Sequence, residues 1–318
     1  MKICVIGGGR WGRNHIRTLS KSGNLGGIVD PNKKLLDEYH EIYPNVNLYE
    51  NIDKSIERKF DGYVLATPAE THYSLGKKLI ENRCHTLIEK PLALNTKDAK
   101  KLVSLSSEYK VNLMVGHVLL FHPAIQKIKE LIYDNKIGKL QYIYSNRLNL
   151  GTIRVHENVF WSFAPHDISI FNYLIEDLPV NINSFGGAFI NENNQDTTIT
   201  YLEYPNNIKT HIFVSWLHPF KEHRIVIIGS KGMISFEDSS KEKHIYFYEK
   251  GVDWKDGIPI MKNGPSEIIN YEHKMPLEQE LNYFMNNLNT NIEISSGKNG
   301  LEVVKILEEA SEILDKGF

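Results

Sequence analysis

Cysteine is nearly absent from this chain. Its 318 residues include only Cys4 and Cys84, so neither a disulfide-built scaffold nor a cysteine-rich metal site is available. Cys4 sits in an apolar run and Cys84 just before another, as two structural thiols in a reducing compartment would. Long apolar stretches are lacking too: no run approaches the ~20 residues needed to cross a bilayer. Met1-Lys2-Ile3 leads straight into a strand pattern, without the charged start, apolar middle and small-residue cleavage site of a secretory signal, and a cytoplasmic protein is expected. Charge of one sign is also missing. Lys and Arg number 37 against 39 Asp and Glu, a formal net charge of −2. No basic field points to nucleic acid or a membrane surface, and a negative ligand has to be met by local groups. There is no internal repeat and no low-complexity tract. The spaced histidines His156, His166, His211, His218 and His223 form neither a His-Glu-x-x-His helix nor a Cys/His ligand set, so no metal is expected.

What is present is enough chain for two domains, with two different patterns along it. Residues 1–120 alternate short apolar strand runs, predicted at 2–6, 27–30, 62–66, 86–89 and 112–116, with helical periodicities at 14–20, 33–41, 73–82 and 96–109. Such alternation implies right-handed crossovers and a parallel sheet covered on both faces. Beyond a further helix at 123–135, strand-like segments follow one another with turn formers between them. They fall at 140–149, 183–190, 197–204, 209–216, 224–228, 233–237 and 244–249. This reads as a mostly antiparallel sheet, with helices expected at 167–174, 277–287 and 300–316. The expected fold class is α/β: a Rossmann dinucleotide-binding domain over 1–120, then an α+β domain with a large open sheet over 121–318.

The first strand runs into Gly7-Gly8-Gly9-Arg10-Trp11-Gly12, a G-x-G-x-x-G turn between a strand and a helix. Gly7 permits the tight turn, Gly9 lets a pyrophosphate approach the backbone, and Gly12 lets the helix pack on the strand. The helix N-terminus offers N–H groups and a partial positive charge to phosphate. Asp30 ends the second strand, where a carboxylate accepts from both ribose hydroxyls and repels a 2′-phosphate. This favours NAD over NADP, with Lys33 and Lys34 nearby. Ala66-Thr67-Pro68 and Glu89-Lys90-Pro91 each follow a strand, at the sheet edge where ligands bind in open α/β folds.

The combination of Gly7 to His15 as G-x-G-x-x-G-x-x-H, Ala66-Thr67-Pro68, His72 and Glu89-Lys90-Pro91 resembles the glucose–fructose oxidoreductase/inositol dehydrogenase (Gfo/Idh/MocA) family over essentially the whole chain. The resemblance implies an NAD(P)-dependent oxidoreductase of a sugar, polyol or sugar nucleotide. Residues 115–124 (VGHVLLFHPA) and 158–168 (NVFWSFAPHDI) look like the corresponding segments of nucleotide-sugar 3-dehydrogenases. The chain departs from that pattern at His122, where the branch often has Asn, and at Ser162, where an acid commonly stands four residues before the active-site histidine. The implied cofactor contacts are Gly7, Gly9, Arg10, Trp11, Gly12, Asp30, Ala66, Thr67, His72, Glu89 and Lys90. The implied substrate contacts are Lys90, His122, Arg154 and His166.

Oxidising a hydroxyl needs a proton acceptor and a hydride acceptor in near-attack geometry. His166, whose ordinary pKa near ~6.5 allows both proton states, is the expected base, and Lys90 the group that stabilises the developing alkoxide. The reverse assignment, with Lys90 as base, stays open at this stage. Glu89 is expected to face the nicotinamide or to orient Lys90, and His117 to be structural. The expected substrate is UDP-N-acetylglucosamine or its uronate, oxidised at C3 in polysaccharide biosynthesis by a homodimer or homotetramer. The alternatives are a 3-keto-sugar-nucleotide reductase, an inositol or free-sugar dehydrogenase, and a non-catalytic NAD-binding sensor.

Overall fold

The computed structural model describes residues 1–154, 157–192 and 194–316. The chain divides into two compact units. Met1–Phe121 joins Met275–Lys305, and His122–Lys274 joins the segment from Ile306 onward.

In the first unit, β1 (Ile3–Ile6), β2 (Leu25–Val29), β3 (Asn47–Tyr49), β4 (Gly62–Leu65), β5 (Thr86–Glu89) and β6 (Leu113–Gly116) form one sheet in the order β3-β2-β1-β4-β5-β6. Every pairing is parallel. Ile3, Val5, Leu65, Leu87, Ile88 and Val115 are fully enclosed, as strands with helices on both faces must be. The crossover helices are α1 (Gly12–Lys21), α2 (Lys33–Ile42), α3 (Ile52–Arg58), α4 (His72–Glu81) and α5 (Thr96–Tyr109). The strand order reverses direction between β1 and β4, so the loops after these strands open a crevice at the carboxyl edge of the sheet. β3 and α3 went unpredicted. The strand has only three residues and none is buried, and the helix runs barely two turns from its Asn51 cap.

The division at residue 120 was expected to be the only one, but residues 275–305 belong with the first unit. Asn112 Nδ2 donates to the carbonyls of Asn287, Leu288 and Thr290 (2.6, 3.1 and 2.7 Å). Val115 and Ser295 exchange hydrogen bonds of 2.8 and 2.6 Å. The helix α8 (Pro276–Asn286) packs on α1 and on the short turn Val118–Phe121. Hydropathy patterning shows that such a helix is amphipathic but not which sheet its apolar face covers.

The second unit holds α6 (Pro123–Tyr133), β7 (Leu140–Leu148), α7 (Val159–Ile175), β8 (Asn181–Gly187), β9 (Thr197–Tyr204), β10 (Ile208–Ser215), β11 (Glu222–Gly229), β12 (Met233–Glu237), β13 (Ile245–Lys255) and β14 (Ile258–Ile269). The sheet order is β14-β13-β12-β11-β7-β10-β9-β8, antiparallel throughout except for β7 with β10. Helix α7 lies on β7, β9 and β10 and shields Ile143, Ile212, Val214 and Leu202. The alternate residues Ile199 and Tyr246 are exposed, with Phe185 on the edge strand β8. The last helix, α9, runs Gly297–Lys316.

Two elements differ from expectation. α7 begins at Val159, well before the predicted 167, although Pro165 lies inside it. The proline removes one helical N–H, but Asn158 caps the new start and Val159, Phe160 and Ala164 are buried on the sheet. β14 was not expected at all. Nearly all its residues are exposed and it contains Pro265, so it has no alternating pattern to read and only its ladder with β13 makes it a strand. Both cysteines are free and buried, and burial pushes the Cys84 thiol up to about 11. Among the described residues no helix is long and apolar enough to cross a membrane.

Candidate active site

The glycine turn is built as its spacing predicted. Gly7 has φ +92°, a conformation L side chains rarely adopt, and a Cβ on Gly12 would lie 1.8 Å from the Gly7 carbonyl oxygen. The space that a Gly9 Cβ would enter is open, which is the room a pyrophosphate needs. No side chain caps the N-terminus of α1. Asp30 is buried at the end of β2. Its Oδ2 accepts from the Gly8 N–H and its Oδ1 from the Asn32 N–H, both at 2.8 Å. Tyr39 donates to the Gly8 carbonyl (2.6 Å) and pins the turn from α2. A carboxylate has about four acceptor positions, so Asp30 keeps capacity for ribose hydroxyls. Arg10 and Trp11 of the turn are exposed. These residues fit an NAD at this edge: the turn for the pyrophosphate, Asp30 for the adenosine ribose.

At the end of β5, Glu89 ties the turn to the Lys90 loop. Its Oε1 accepts from Trp11 Nε1 and faces His15 Nε2 at 2.6 Å. Its Oε2 accepts from the Lys90 backbone N–H (3.3 Å). Burial pushes the Glu89 carboxyl up, but the hydrogen bonds and charges of His15, Trp11 and Lys90 outweigh it and hold the group below the usual carboxylate range. Gly116 makes the room, since a Cβ there would stand 2.8 Å from the Glu89 carboxyl. Lys90 is half-buried, next to a cis bond to Pro91. His72 bridges the two edge loops, with Nδ1 at 2.8 Å from the Pro91 carbonyl and Nε2 at 2.9 Å from that of Thr67. Both its ring nitrogens are engaged, so His72 braces the loops that carry Ala66, Thr67 and Lys90 and has no nitrogen left for the cofactor.

In the second unit, α7 presents His166, half-buried, with Ser162 one turn before it. The neighbouring Asp167 is gripped by Arg147 of β7 through Nε–Oδ2 at 2.7 Å and Nη2–Oδ1 at 3.1 Å. Both side chains are buried, and the Arg147 Nη1 also reaches His223 Nδ1 at 3.4 Å. Burial and the adjacent Arg147 charge hold His223 down to about 3, as a neutral ring. The helix expected to begin at Asp167 begins at Val159, so Asp167 lies mid-helix, where Arg147 holds it. The alternation of β7 sets Arg147 on the same side as Ile143, which is the sequence signal for its inward place.

His122 is corrected from substrate contact to structural cap. Its Nδ1 accepts from the Ala124 N–H (3.1 Å) at the start of α6, its Nε2 lies 3.5 Å from Asp238 Oδ1, and Phe236 and Tyr271 flank the ring. Arg154 is exposed and pairs with Glu157 at 3.0 Å. His156 lies outside the described residues. Glu280, on the inward face of α8 with Leu281 and Phe284, also went unremarked, although a Glu at that position of an apolar stripe is a readable anomaly.

A glycine turn with a ribose acid at the switch point, followed by a Glu-Lys-Pro edge, defines a dinucleotide-binding oxidoreductase. Residues 1–117 match the oxidoreductase family with an NAD-binding Rossmann fold, and residues 125–235 match the GFO/IDH/MocA C-terminal domain. The chain belongs to the Gfo/Idh/MocA family, and its cofactor is NAD. It is 24% identical over 292 residues to UDP-N-acetylglucosamine 3-dehydrogenase of Acidithiobacillus ferrooxidans, covering 90% of this chain and 88% of that one. A solved structure of that enzyme superposes with a TM-score of 0.87 at 22% identity, over 99% and 98% of the two chains. Myo-inositol 2-dehydrogenase of Thermotoga maritima is 25% identical over 267 residues, 80% of each chain. The WlbA dehydrogenase of Bordetella pertussis, solved in complex with NADH and UDP-GlcNAcA, superposes with a TM-score of 0.80 at 18% identity, over 100% and 97% of the chains.

Proposed function

We propose that this protein oxidises a ring hydroxyl of a nucleotide sugar, at C3 of UDP-N-acetylglucosamine or its uronate, with NAD as acceptor. The observation that carries the reading is the nearly full-length likeness to a UDP-N-acetylglucosamine 3-dehydrogenase, in a chain with Lys90 after β5 and His166 on α7. NAD, when bound, supplies the hydride acceptor at the nicotinamide. Lys90 hydrogen-bonds the reacting hydroxyl and stabilises the alkoxide as its proton leaves. The proton passes to the His166 imidazole. Ser162 offers a hydroxyl where the family resemblance implies an acid, so it can orient the ring but cannot stabilise an imidazolium by charge. Arg154 is the candidate for the diphosphate, through a bidentate guanidinium contact. The exposed apolar residues of the second unit's sheet support assembly as a homodimer or homotetramer.

The test is incubation with NAD and UDP-N-acetylglucosamine or the uronate, with the 3-keto product followed by mass spectrometry. This readout survives a cofactor that stays bound and is recycled. K90A and H166A are each expected to cut turnover by about 10²-fold or more, and full turnover in either variant removes that residue from the site. The likeness to a myo-inositol 2-dehydrogenase supports a second reading. Turnover of inositol with none of any nucleotide sugar selects it.

A further inference from the structure

The first unit encloses a group of polar side chains that the reaction as described leaves without a role. Glu280 of α8 has no exposed surface, and among the described residues neither carboxyl oxygen has a hydrogen-bond partner. His117, directly after β6, is enclosed as well, and neither ring nitrogen is partnered. His15 of α1 gives Nε2 to Glu89, and its Nδ1 is unpartnered. The elements that carry the three residues pack together. α8 packs on α1 and on the turn that His117 leads into, and the Glu89 charge bears on both His117 and Glu280. Enclosed polar atoms are matched by protein groups or by ordered water. Among the described residues nothing matches them, and one acid and two imidazoles supply the polar partners an internal water needs.

The charges around Glu280 fix its state. On its own helix, Glu278 is exposed and the Tyr283 hydroxyl accepts from the Glu293 and Ile294 N–H groups. On α1, Arg13, Arg17 and Lys21 are exposed and His15 is committed to Glu89. The turn Val118–Phe121 has no titratable group. From β5 the facing groups are Glu89 and Lys90, and from β6 His117. Burial and then the Glu89 charge push the Glu280 carboxyl well above its ordinary value. Burial holds His117 down to about 4, a neutral ring that can donate at one nitrogen and accept at the other.

We propose that Glu280 is a protonated acid which, through water held with His117, donates to the Glu89 carboxylate and so acts as a positioning residue for Glu89 and the Lys90 loop. Two buried carboxyls, one of whose charges bears on the other, do not both ionise readily. Glu89 has Trp11 and His15 to stabilise its charge and Glu280 has none, so the proton resides on Glu280. The pair then keeps a single negative charge, next to the backbone of Lys90. The functional part of this inference rests on the proposed role of Lys90. The protonation state does not.

The experiment has two arms on the NAD-loaded protein. In the infrared spectrum at pH 7, the wild type shows a protonated-carboxyl band that E280Q lacks. Absence of the band, or its survival in E280Q, overturns the assignment whatever the substrate. In the second arm, the Glu89 carboxyl is titrated by carbon-13 NMR in wild type, E280L and E280Q, because the acid limb of kcat/KM reports the His166 base instead. E280L removes the donor, and the Glu89 titration moves to higher pH by about one unit, the size of one charge-assisted hydrogen bond. E280Q, which keeps a neutral donor, restores most of the shift. An unmoved Glu89 titration in a folded E280L, or no rescue in E280Q, ends the positioning role. This arm needs no turnover, which separates failure of this inference from failure of the substrate reading.

Discussion

At the residue scale, the first unit depends on a few positions where one atom more or less matters. A Cβ on Gly12 would meet the Gly7 carbonyl at 1.8 Å, so G12A must displace either the turn or α1. NADH titration of G12A is expected to show binding weakened by about tenfold to a hundredfold, the cost of a backbone shift in a packed site; unchanged affinity would mean the turn does not hold the cofactor. Arg147 and Asp167 are critical for a different reason. Each is buried and satisfies the other, so R147M leaves a carboxylate enclosed without a partner. Urea unfolding is expected to show R147M destabilised by about 3–5 kcal/mol, with R147M/D167L recovering most of the loss because no charge is then left unpaired. A double variant as unstable as R147M contradicts that account. The motif residues Gly7, Gly12 and Asp30 were legible because their spacing encodes backbone geometry. Arg147 and Glu280 stand out only as polar residues on apolar faces; what they do was not legible, because their surroundings come from parts of the chain far away in sequence.

At the element scale, the decisive helix is α7, which carries Ser162, His166 and Asp167. Its start is fixed by Asn158, whose Oδ1 accepts from the Trp161 N–H at 3.0 Å and whose Nδ2 donates to Gln195 Oε1 at 3.0 Å. N158A is therefore expected to cost about 1–2 kcal/mol in unfolding free energy, the upper part of the range for lost helix caps. A cost under about 0.5 kcal/mol would mean that sheet packing alone fixes the start. α5 shows the opposite case of legibility. Asn95 caps it, and it runs Thr96–Tyr109 as the periodicity predicts. There local signals and burial agree. In α7 the proline signalled a break, and burial on the sheet overrode it.

At the scale of the whole molecule, two neutral histidines, His117 enclosed and His223 partly buried, make stability depend on acid. His117 is held down to about 4 and His223 to about 3, in both cases chiefly by burial. In the unfolded chain both titrate near ~6.5. As pH falls below that value the unfolded state binds protons that the folded state refuses, so stability is lost on acidification. The slope is up to about 1.4 kcal/mol per pH unit per histidine until the folded-state values are reached. Glu89, held low in the folded protein, adds a loss of the same sign at lower pH. Glu280, whose carboxyl burial pushes up, acts in the opposite sense: above the ordinary carboxylate value the unfolded chain releases a proton that the folded protein keeps, so stability falls as pH rises and about one histidine is offset. Urea midpoints of E280Q are therefore expected to fall between pH 6 and 4 more steeply than those of the wild type; a flat E280Q midpoint from pH 7 to 5 contradicts the burial of these rings. The exposed Phe185, Ile199, Tyr246 and Trp254 belong to this scale too. Light scattering on the eluting protein is expected to give a dimer or tetramer mass, and a monomer at every concentration rejects the proposed assembly.

By itself the sequence determined the Rossmann unit, its glycine turn and its Asp30, and the strand-rich character of the second half. These follow from local rules: the period of side-chain burial and the backbone freedom of glycine. Only the tertiary structure decided that residues 275–305 return to the first unit, that β14 is a strand, that His122 caps a helix, and which partners Arg147 and Glu280 have. Each of these turns on contacts between residues distant in the chain. Glu89-Lys90-Pro91 shows both sides of the division. The tripeptide was readable as a site, but the grip of Trp11 and His15 on Glu89, and the enclosed Glu280 behind it, exist only once the sheet has brought β1, β5 and α8 together.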